Sequence, residues 1–549
     1  MSFRKLLCLL IAILMLAGII IGCTSQDKPT ESGPQPAETE DSKDDGDKES
    51  EEEEQPKERE VIKVSINVME AEKNGNNPKM DYVLERFGLD FEYWPVSWGD
   101  WNEKINTWIS TGDTPDLIWW DLKGAQSNQY RTWARQGAFS PIPYEMIAKY
   151  PHLQDRVDNM ESFKHLEVDG KLYAWPSSRR YDPMVKNTYG SVWTYRRDWA
   201  KAVGLHNEDD IYEWEEWKNL IRTVIEKDPG GNGPGNTAGL VMPTWAFPHA
   251  PVLFIGSVPA EGNETCSYIK VDGEWIWPPM LESYKEEVVE TWKMFQEGLI
   301  WKDNMSFSGT EDEEMFKAGR AFARYQTGIW VLNGWTQEMM ENDIIDSPDA
   351  VAPVIIKDRN GDVWMTQTED YWTVTAFSSK VDEKKMDRVL EFWDFLNSEE
   401  GLLFNELGFE GKDYEIGSDG KVKVLWEIDP KTGGYISPYR DYAFGAFTPA
   451  TLIPEPKHTD QEYGVKEFVG LYEKLNKLNF KVKPFDYEMS FFSAPNKDKY
   501  GNFGADAKAK LAEIIANPNI DPAAEWEAWV ESMMPRVQPI LDELNANLK

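Results

Sequence analysis

Residues 111–120 read TGDTPDLIWW. The glycine, aspartate and proline among the first five of these residues predict a turn that ends a helix. The four apolar residues after Asp116 predict a short buried strand that ends at Trp120. This stretch decides the fold class, because it supplies the third strand of an alternation that begins upstream.

The residues before this turn alternate between strand and helix patterns. Alternating apolar and polar residues predict a strand over 61–68, and a second strand is predicted over 89–94. Apolar residues at helical spacing predict helices over 78–88 and 98–110. The order strand, helix, strand, helix, strand is typical of a parallel α/β sheet.

The rest of the chain is richer in helices. A strand is predicted over 193–198, and residues 315–318 lead into residues 322–325, which predict a return to a sheet. Further helices are predicted near 129–136, over 214–227, 284–296 and 386–396, and in 460–475 and 506–547. The pattern predicts two α/β lobes that are connected by more than one crossover and followed by a helical C-terminal region.

Composition limits the classes of function that this chain can have. Its 549 residues carry 58 basic and 96 acidic side chains, a formal net charge of −38. Such acidity disfavours nucleic acid and anionic membrane surfaces as partners, because their phosphates repel it. The 41% of apolar residues can form a large core, and three cysteines in so long a chain exclude a disulfide scaffold.

Residues 1–23 predict an export signal. Arg4 and Lys5 precede an apolar run of about sixteen residues, which is long for the apolar part of a signal peptide and short for a spanning helix. The run ends in IIGC, which resembles a bacterial lipobox, where the cysteine, here Cys23, is lipidated and becomes the new N-terminus. An uncleaved membrane anchor is the alternative, and both place the remainder outside the cytoplasmic membrane.

Residues 24–60 predict a disordered acidic spacer. They contain 15 acidic and 5 basic residues, four prolines and no aromatic residue. Like charges repel and little apolar surface is available, so we expect an extended segment. It either lifts a folded domain off the surface or is a solvated tail without a role. Residues 61–549 then carry a charge of −30, all 25 tryptophans and Cys266 as an unpaired thiol.

Five strings along the chain resemble those of one known family. They are TGDTPDLI at 111–118, DGKLYAWP at 169–176, YRRDW at 195–199 followed by WEEW at 214–217, MFKAGRAFA at 315–323, and FEGKDY at 409–414, in which Asp413 stands where the family pattern has His. With the lipobox in front of them, they resemble the extracellular solute-binding lipoproteins of ABC importers, in particular the large group for oligosaccharides. Their order along the chain makes the resemblance specific.

This resemblance implies an α/β, two-lobed periplasmic-binding-protein-like fold with a hinge and a helical C-terminal region. The first lobe is expected to comprise roughly residues 61–190 and a later segment near 375–430, and the second lobe most of the rest. The resemblance further implies a monomer, not an enzyme, that captures an oligosaccharide between its lobes and delivers it to ABC permease subunits. Its expected location is the outer face of the cytoplasmic membrane of a Gram-positive bacterium, held through the lipid only.

Aromatic residues outside helices are the candidates for sugar binding. A tryptophan ring packs against the C–H face of a sugar, and carboxylates, amides or guanidinium groups bind its hydroxyls. Trp108, Trp217, Trp292 and Trp393 have helical apolar spacing, so we expect them in the core. The candidate ligand-binding residues, expected in turns, loops or strand ends or beside charged groups, are Trp94, Trp98, Trp119, Trp120, Asp121, Trp175, Arg179, Arg180, Trp193, Trp245, Trp335, Tyr371, Trp372 and Glu410.

Residues 228–236 read DPGGNGPGN, which is similar to DPNGNGKKDE, a calcium loop in relatives. Asp228 supplies the only charge, while Asn232 and Asn236 offer neutral oxygens. Gly230 stands at the third position, and Thr237 replaces an acid. Because calcium affinity depends on the charge of the ligands, we expect a Gly/Pro turn without a cofactor, with a calcium site as the alternative.

Two other functions remain open. A secreted glycoside hydrolase would fit the acidity and the tryptophans, and the two carboxylates about 5–10 Å apart that it needs are not excluded by the sequence. A surface sugar sensor for a two-component system would use the same fold. Zinc and nucleotide chemistry are not expected, because the five histidines are scattered and the chain has neither an HExxH motif nor a Walker A string.

Overall fold

The turn in TGDTPDLIWW forms as predicted. The helix before it ends at Thr111, Gly112 has a left-handed φ of 71°, and a strand runs from Leu117 to Trp120. The computed structural model describes residues 57–67, 78–97, 99–122, 125–178, 192–248, 267–326, 332–366, 369–431, 435, 436, 438, 463–483 and 486–548. The predicted export signal, Cys23, the spacer up to residue 56 and Cys266 lie outside the described residues.

Strands are found at most of the predicted positions, together with several short hairpins. In chain order they are β1 (Glu60–Asn67), β2 (Leu89–Val96), β3 (Leu117–Trp120), β4 (Glu167–Val168), β5 (Lys171–Leu172), β6 (Ala174–Ser178), β7 (Val192–Arg196), β8 (Ile211–Tyr212), β9 (Ala238–Val241), β10 (Ile269–Val271), β11 (Glu274–Ile276), β12 (Ala321–Gln326), β13 (Val351–Ile356), β14 (Trp364–Thr366), β15 (Tyr371–Phe377), β16 (Tyr414–Ile416), β17 (Val422–Val424), β18 (Glu427–Ile428), β19 (Tyr435–Ile436) and β20 (Lys481–Lys483).

Helices cover the predicted periodic segments. They are α1 (Pro78–Phe87), α2 (Trp101–Thr111), α3 (Ala125–Arg135), α4 (Tyr144–Ile147), α5 (Pro151–Asn159), α6 (Ser162–Leu166), α7 (Arg197–Val203), α8 (Trp214–Lys227), α9 (Glu282–Gln296), α10 (Glu311–Lys317), α11 (Leu332–Glu341), α12 (Glu383–Asn397), α13 (Glu399–Glu406), α14 (Tyr463–Leu478), α15 (Tyr487–Phe491), α16 (Pro495–Tyr500), α17 (Gly504–Ala516) and α18 (Pro522–Asn547). Within the described ranges, none of these helices is long and apolar enough to cross a membrane.

Two five-stranded sheets organise the chain. Sheet A has the strand order β2-β1-β3-β15-β6, and sheet B has the order β8-β13-β7-β12-β9. In each sheet four strands run in one direction and the fifth is antiparallel to its neighbours. The antiparallel strand is β15 in sheet A and β7 in sheet B.

The two antiparallel strands are the ones that the chain forms after crossing between the sheets. β7 follows β6 of sheet A, and β15 follows β14, whose Met365 belongs to the same buried cluster as Ile355 of sheet B. Each therefore starts at the edge where the parallel strands of its sheet end. Residues 367–370 join β14 to β15, and such a connection spans at most about 18 Å. The short connection thus keeps the carboxyl edge of sheet A close to β14, which in turn lies near β13 of sheet B.

Each sheet has its own hydrophobic core. Core A surrounds sheet A and includes Trp119, Trp175 and Trp393, whereas core B surrounds sheet B and includes Trp217 and Trp277. The predicted core positions are confirmed for Trp217 and Trp393, which are fully buried. The other two predicted core tryptophans are partly buried and pack against the cores, Trp108 against core A and Trp292 against core B.

One short helix belongs to both cores. Phe491 of α15 lies in core A, and Met489 of the same helix lies in core B. The ring of His165 from α6 stacks on Tyr487 and Phe491, with centroids 5.1 and 5.5 Å away. Helix α15 therefore joins the two halves of the structure by packing.

A buried ionic cluster joins three elements around sheet B. Asp210 accepts hydrogen bonds from Tyr195 Oη at 2.6 Å, from Arg197 Nε at 2.9 Å and Nη2 at 2.7 Å, and from Lys474 Nζ at 3.1 Å. Burial by itself would raise the pKa of Asp210, but the hydrogen bonds from Arg197 and Tyr195 outweigh it and hold the pKa below its ordinary range. The cluster connects β7, α7 and α14.

We expect Trp217→Ala to lower the free energy of unfolding by about 3–5 kcal/mol, because it removes a fully buried indole and leaves a cavity in core B. Urea denaturation followed by circular dichroism measures the loss. Trp292→Ala is the matched control, since this tryptophan is only partly buried. Equal losses in the two variants would contradict the assignment of Trp217 to the centre of core B.

We expect Asp210→Asn to lower the free energy of unfolding at pH 7 by about 1.5–3 kcal/mol, because it removes the charged acceptor shared by Arg197, Tyr195 and Lys474, while Glu467 still pairs with Arg197 at 3.1 Å. The folded pKa of Asp210 is depressed, so its stabilisation is present above the unfolded pKa of about 4 and is lost as pH falls through the folded pKa. The difference between wild type and variant should therefore shrink in acid. Unfolding curves from pH 7 to about pH 2 test this. Asp346→Asn, at an exposed carboxylate, is the control.

Candidate functional site

Three aromatic side chains meet where β9 and β12 end. Tyr325 lies near the end of β12, Trp193 lies opposite it on β7, and Trp245 follows β9. The ring centroid of Tyr325 is 5.5 Å from that of Trp193 and 5.7 Å from that of Trp245. Ligands of open α/β sheets bind beyond the carboxyl ends of the strands. This aromatic cluster is therefore the candidate site on sheet B.

The indole of Trp193 has an unused donor. Only 3% of this residue is exposed, and its Nε1 is buried without an acceptor among the described residues. A buried N–H without a partner costs free energy, so such groups in native proteins call for an explanation. A ligand oxygen at this edge would satisfy it.

The corresponding edge of sheet A is acidic. Asp121 follows β3, while Glu369 and Asp370 precede β15. Asp370 accepts a hydrogen bond from the Ser162 N–H through Oδ2 at 3.3 Å, and its Oδ1 is buried without a partner in the described part of the chain. Burial, together with the negative charges of Glu369, Asp121 and Asp370, raises the pKa of Tyr371 well above its usual value. Tyr371 thus stays protonated and donates to the Leu122 carbonyl oxygen at 2.9 Å.

Helix α15 fixes the position of this acidic edge. The backbone N–H of Asp370 donates to Tyr487 Oη at 2.6 Å, and Tyr487 stacks on His165. Burial lowers the pKa of His165, which favours its neutral ring at pH 7. Helix α15, which packs into both cores, therefore also holds Asp370, the residue directly before β15.

Three predicted sugar-binding tryptophans lie inside core A. Trp119 and Trp120 fill β3, and Trp175 fills β6; each is at most 2% exposed. Trp119 donates to Thr373 Oγ1 at 2.8 Å, and its ring centroid is 4.1 Å from that of Trp101. Strands inside a mostly parallel sheet are covered on both faces, so consecutive apolar residues are all buried. Whether these tryptophans contact a ligand stays a prediction.

The expected loop position of Trp335 is wrong. This residue lies in α11, is 6% exposed and packs under the guanidinium of Arg324 at 4.6 Å. Its Nε1 donates to Glu313 Oε1 at 3.2 Å. Gly334 obscured the helix in the sequence, because glycine is a poor helix former whose cost the packing of α11 offsets.

Trp94 lies on β2, an edge strand of sheet A. It is partly buried on β2, donates to Glu92 Oε1 at 3.0 Å and packs edge-on against Trp108. The indole of Trp94 is thus in contact with two neighbouring side chains, those of Glu92 and Trp108. Trp98, Arg179 and Arg180 lie outside the described residues, as does the side chain of Trp372.

Glu410 is exposed in the loop between α13 and β16. Asp413, which stands where the family pattern has His, is buried in the same loop and accepts from the Phe409 N–H at 2.7 Å. Burial lowers the pKa of Lys79 to about 7, against the opposing effect of the Asp413 charge. Asp413, together with Glu406, therefore places negative charge near a buried lysine.

The loop with Asp228, Asn232 and Asn236 lies at the opposite edge of sheet B from the aromatic cluster. It precedes β9, and Asn232 Nδ2 donates to the Gly319 carbonyl oxygen at 3.0 Å, just before β12 begins. The described residues contain no group of three or more His, Cys, Asp or Glu side chains that could hold a metal ion. The loop is thus separate from the candidate site.

Tyr325 and Tyr487 are not among the residues that the sequence predicts for the site, whereas Asp370 is a charged group beside the predicted Tyr371 and Trp372. Tyr325 ends the stretch 322–325 that predicts a return to a sheet, and the rule that ligands bind beyond strand ends could have found it. Tyr487 lies over a hundred residues away from Asp370 in the sequence, and no local pattern signals their contact.

Comparisons with known proteins agree with this architecture. A profile described as "Bacterial extracellular solute-binding protein" matches residues 74–402. "Lipoprotein LipO" of Bacillus subtilis is 24% identical over 67% of this chain and 70% of its own length. The "Fructooligosaccharide ABC transporter substrate-binding protein FusA" of Streptococcus pneumoniae is 25% identical over 83% of this chain and 84% of its own length.

Two solved structures share the fold. The FusA EF-hand mutant in complex with fructo-nystose has a TM-score of 0.66 and 17% identity, covering 89% of this chain and 98% of that one. The alginate-binding protein AlgQ2 without calcium ion has a TM-score of 0.65 and 16% identity, covering 88% and 97%. The predicted α/β, two-lobed periplasmic-binding-protein-like fold is thereby confirmed. Since the family profile covers more than half of the residues, this chain belongs to the bacterial extracellular solute-binding proteins.

Proposed function

We propose that this protein is a lipid-anchored receptor on the outer face of the cytoplasmic membrane that captures an oligosaccharide and delivers it to the permease of an ABC importer. The ligand would lie between the carboxyl edges of sheets A and B. Lipidation at Cys23 would hold the protein to the membrane, and the acidic spacer would separate the folded part from the surface. The receptor would act as a monomer.

The observation that carries this proposal is a pair of unsatisfied groups of opposite kind. Among the described residues, Trp193 Nε1 is a donor without an acceptor at the edge of sheet B, and Asp370 Oδ1 is an acceptor without a donor at the edge of sheet A. A sugar hydroxyl both donates and accepts hydrogen bonds. A polyhydroxylated ligand therefore matches both edges, while Trp245 and Tyr325 offer ring faces for its C–H groups.

The names of the relatives support a carbohydrate as the ligand. FusA is named for fructooligosaccharides and AlgQ2 for alginate. The ligand of this chain is proposed on that basis together with the aromatic cluster. The acidic residues Asp121, Glu369 and Asp370 at the edge of sheet A favour an uncharged glycan over an anionic one, because like charges repel at short range.

Binding without turnover distinguishes the receptor from a glycoside hydrolase, whereas the neighbouring genes distinguish it from a sensor. A glycoside hydrolase needs a general acid and a nucleophile or base at the sugar. The family match supports capture rather than hydrolysis. A sensor would use the same binding step, so an adjacent gene for a sensor kinase instead of a permease would favour signalling.

We expect uncharged oligosaccharides to change the tryptophan fluorescence of the purified protein in a saturable manner, since Trp193 and Trp245 lie at the proposed site. Titration against a glycan library measures this, and chromatography of the same mixtures detects cleavage. Silence across neutral and acidic glycans would contradict the proposal. Release of shorter sugars would favour the hydrolase.

We expect Trp193→Phe to weaken oligosaccharide binding about two- to tenfold, because it removes one hydrogen-bond donor, worth about 0.5–1.5 kcal/mol, while keeping an aromatic ring. No hydrogen bond within the described protein is lost. Calorimetric titration measures the affinity.

Trp101→Phe is the matched control for this substitution. Trp101 donates to the Trp119 carbonyl oxygen at 3.0 Å inside core A. Its replacement should cost about 1–3 kcal/mol of unfolding free energy, because a buried carbonyl loses its donor, with a smaller effect on affinity. Unchanged binding by Trp193→Phe would remove the main support for the site.

A further inference from the structure

The loop of residues 228–237 resembles a calcium loop in sequence, but its carboxylate is bound by hydrogen-bond donors of the protein. Asp228 ends α8 in the left-handed conformation with φ of 44° and turns the chain toward β9. Calcium sites of this kind present oxygen ligands, several of them carboxylates, toward one point. The relatives' pattern DPNGNGKKDE offers such ligands. Here the groups that converge on Asp228 are hydrogen-bond donors.

Asp228 is bound by three donors from its own loop. The backbone N–H of Asn232 donates to Oδ1 at 3.0 Å, and that of Gly233 donates to Oδ2 at 2.7 Å. The hydroxyl of Thr237 also donates to Oδ1. Thr237 stands where the calcium pattern has an acid, so a cation ligand has been replaced by a donor that binds the remaining carboxylate directly.

The two asparagines are also engaged within the structure. Asn232 Nδ2 donates to Thr237 Oγ1 at 3.2 Å and to the Gly319 carbonyl oxygen at 3.0 Å. Asn236 Nδ2 donates to the Asn232 carbonyl oxygen at 3.0 Å. The amide groups therefore connect the loop to itself and to the turn before β12. One carboxylate and two neutral amides form a poor donor set for calcium.

Trp199 fills the space of the third ligand. A Cβ atom placed on Gly230 would lie 2.4 Å from Trp199 Cζ2 and 2.9 Å from Cη2. Any side chain at this position would clash with the ring. The ring is held in place, because it is 3% exposed in core B and carries the Arg196 guanidinium at 4.5 Å. Asp198 in turn fixes Arg196 through bonds of 2.8 and 2.6 Å.

We infer that this loop keeps the shape of a calcium loop without a cation: Trp199 occupies the volume of one ligand, and the Thr237 hydroxyl with two backbone N–H groups takes the place of the ion on Asp228. The residues present do not fit calcium. The stability of the sheet B half is then independent of calcium, although the fold is shared with FusA, studied as an EF-hand mutant, and with AlgQ2, studied without calcium ion.

Thermal unfolding of the full chain tests this inference without any oligosaccharide. The melting temperature should be the same in EDTA, in about 10 mM calcium and in an equal concentration of magnesium, a range that saturates even weak extracellular calcium sites. Calorimetric titration with calcium alone should give no saturable heat. A calcium-specific rise of several degrees, or saturable heat, would overturn the inference and leave the proposed function untouched.

Thr237→Val tests the hydrogen-bonded replacement. Removal of the hydroxyl should lower the melting temperature by the same amount with calcium as with EDTA, because no cation supports the loop. Thr223→Val is the matched control, since this half-buried threonine donates to the Asn219 carbonyl oxygen within its own helix α8. Recovery of Thr237→Val by calcium would contradict the inference. If this variant does not fold, the wild-type calcium measurements decide.

Discussion

The structure depends on one five-residue helix that is packed into two cores. Phe491 of α15 lies among the residues around sheet A, and Met489 lies among those around sheet B. Tyr487, on the same helix, accepts the backbone N–H of Asp370 at the start of β15. A movement of one sheet relative to the other would therefore change the packing of α15. Through this hydrogen bond, α15 also fixes the position of Asp370 at the candidate site.

Local pattern predicted much of the fold. The strand, helix and turn order from residue 61 to residue 120 was predictable because periodicity and turn residues agree there. The same holds for α8 and α12, whose apolar stripes are strong. The contact between Tyr487 and Asp370 was not predictable, since it joins distant parts of the chain and each partner has ordinary surroundings in sequence.

The candidate site was less predictable than the fold. Tryptophan is both a large core residue and a ring for sugar contacts, and sequence does not separate these roles. Trp119, Trp120 and Trp175 lie next to strand ends in the sequence, but two covered sheet faces bury them. Trp193 is equally buried, and its importance comes from an N–H that has no acceptor in the part of the chain that the structure describes, a property that only three-dimensional contacts reveal.

The placement of β15 has a consequence for the order in which the two halves can form. β15 lies between β3 and β6 in sheet A, so β6 has no partner in that sheet until residues 371–377 are present. All five strands of sheet B lie between residues 192 and 356. In a chain that emerges N-terminus first, the five strands of sheet B are therefore all present before β15 of sheet A, whereas core B is completed only by C-terminal residues up to Leu544. Pairing of the strands in sheet B can thus precede the insertion of β15 between β3 and β6, which completes sheet A.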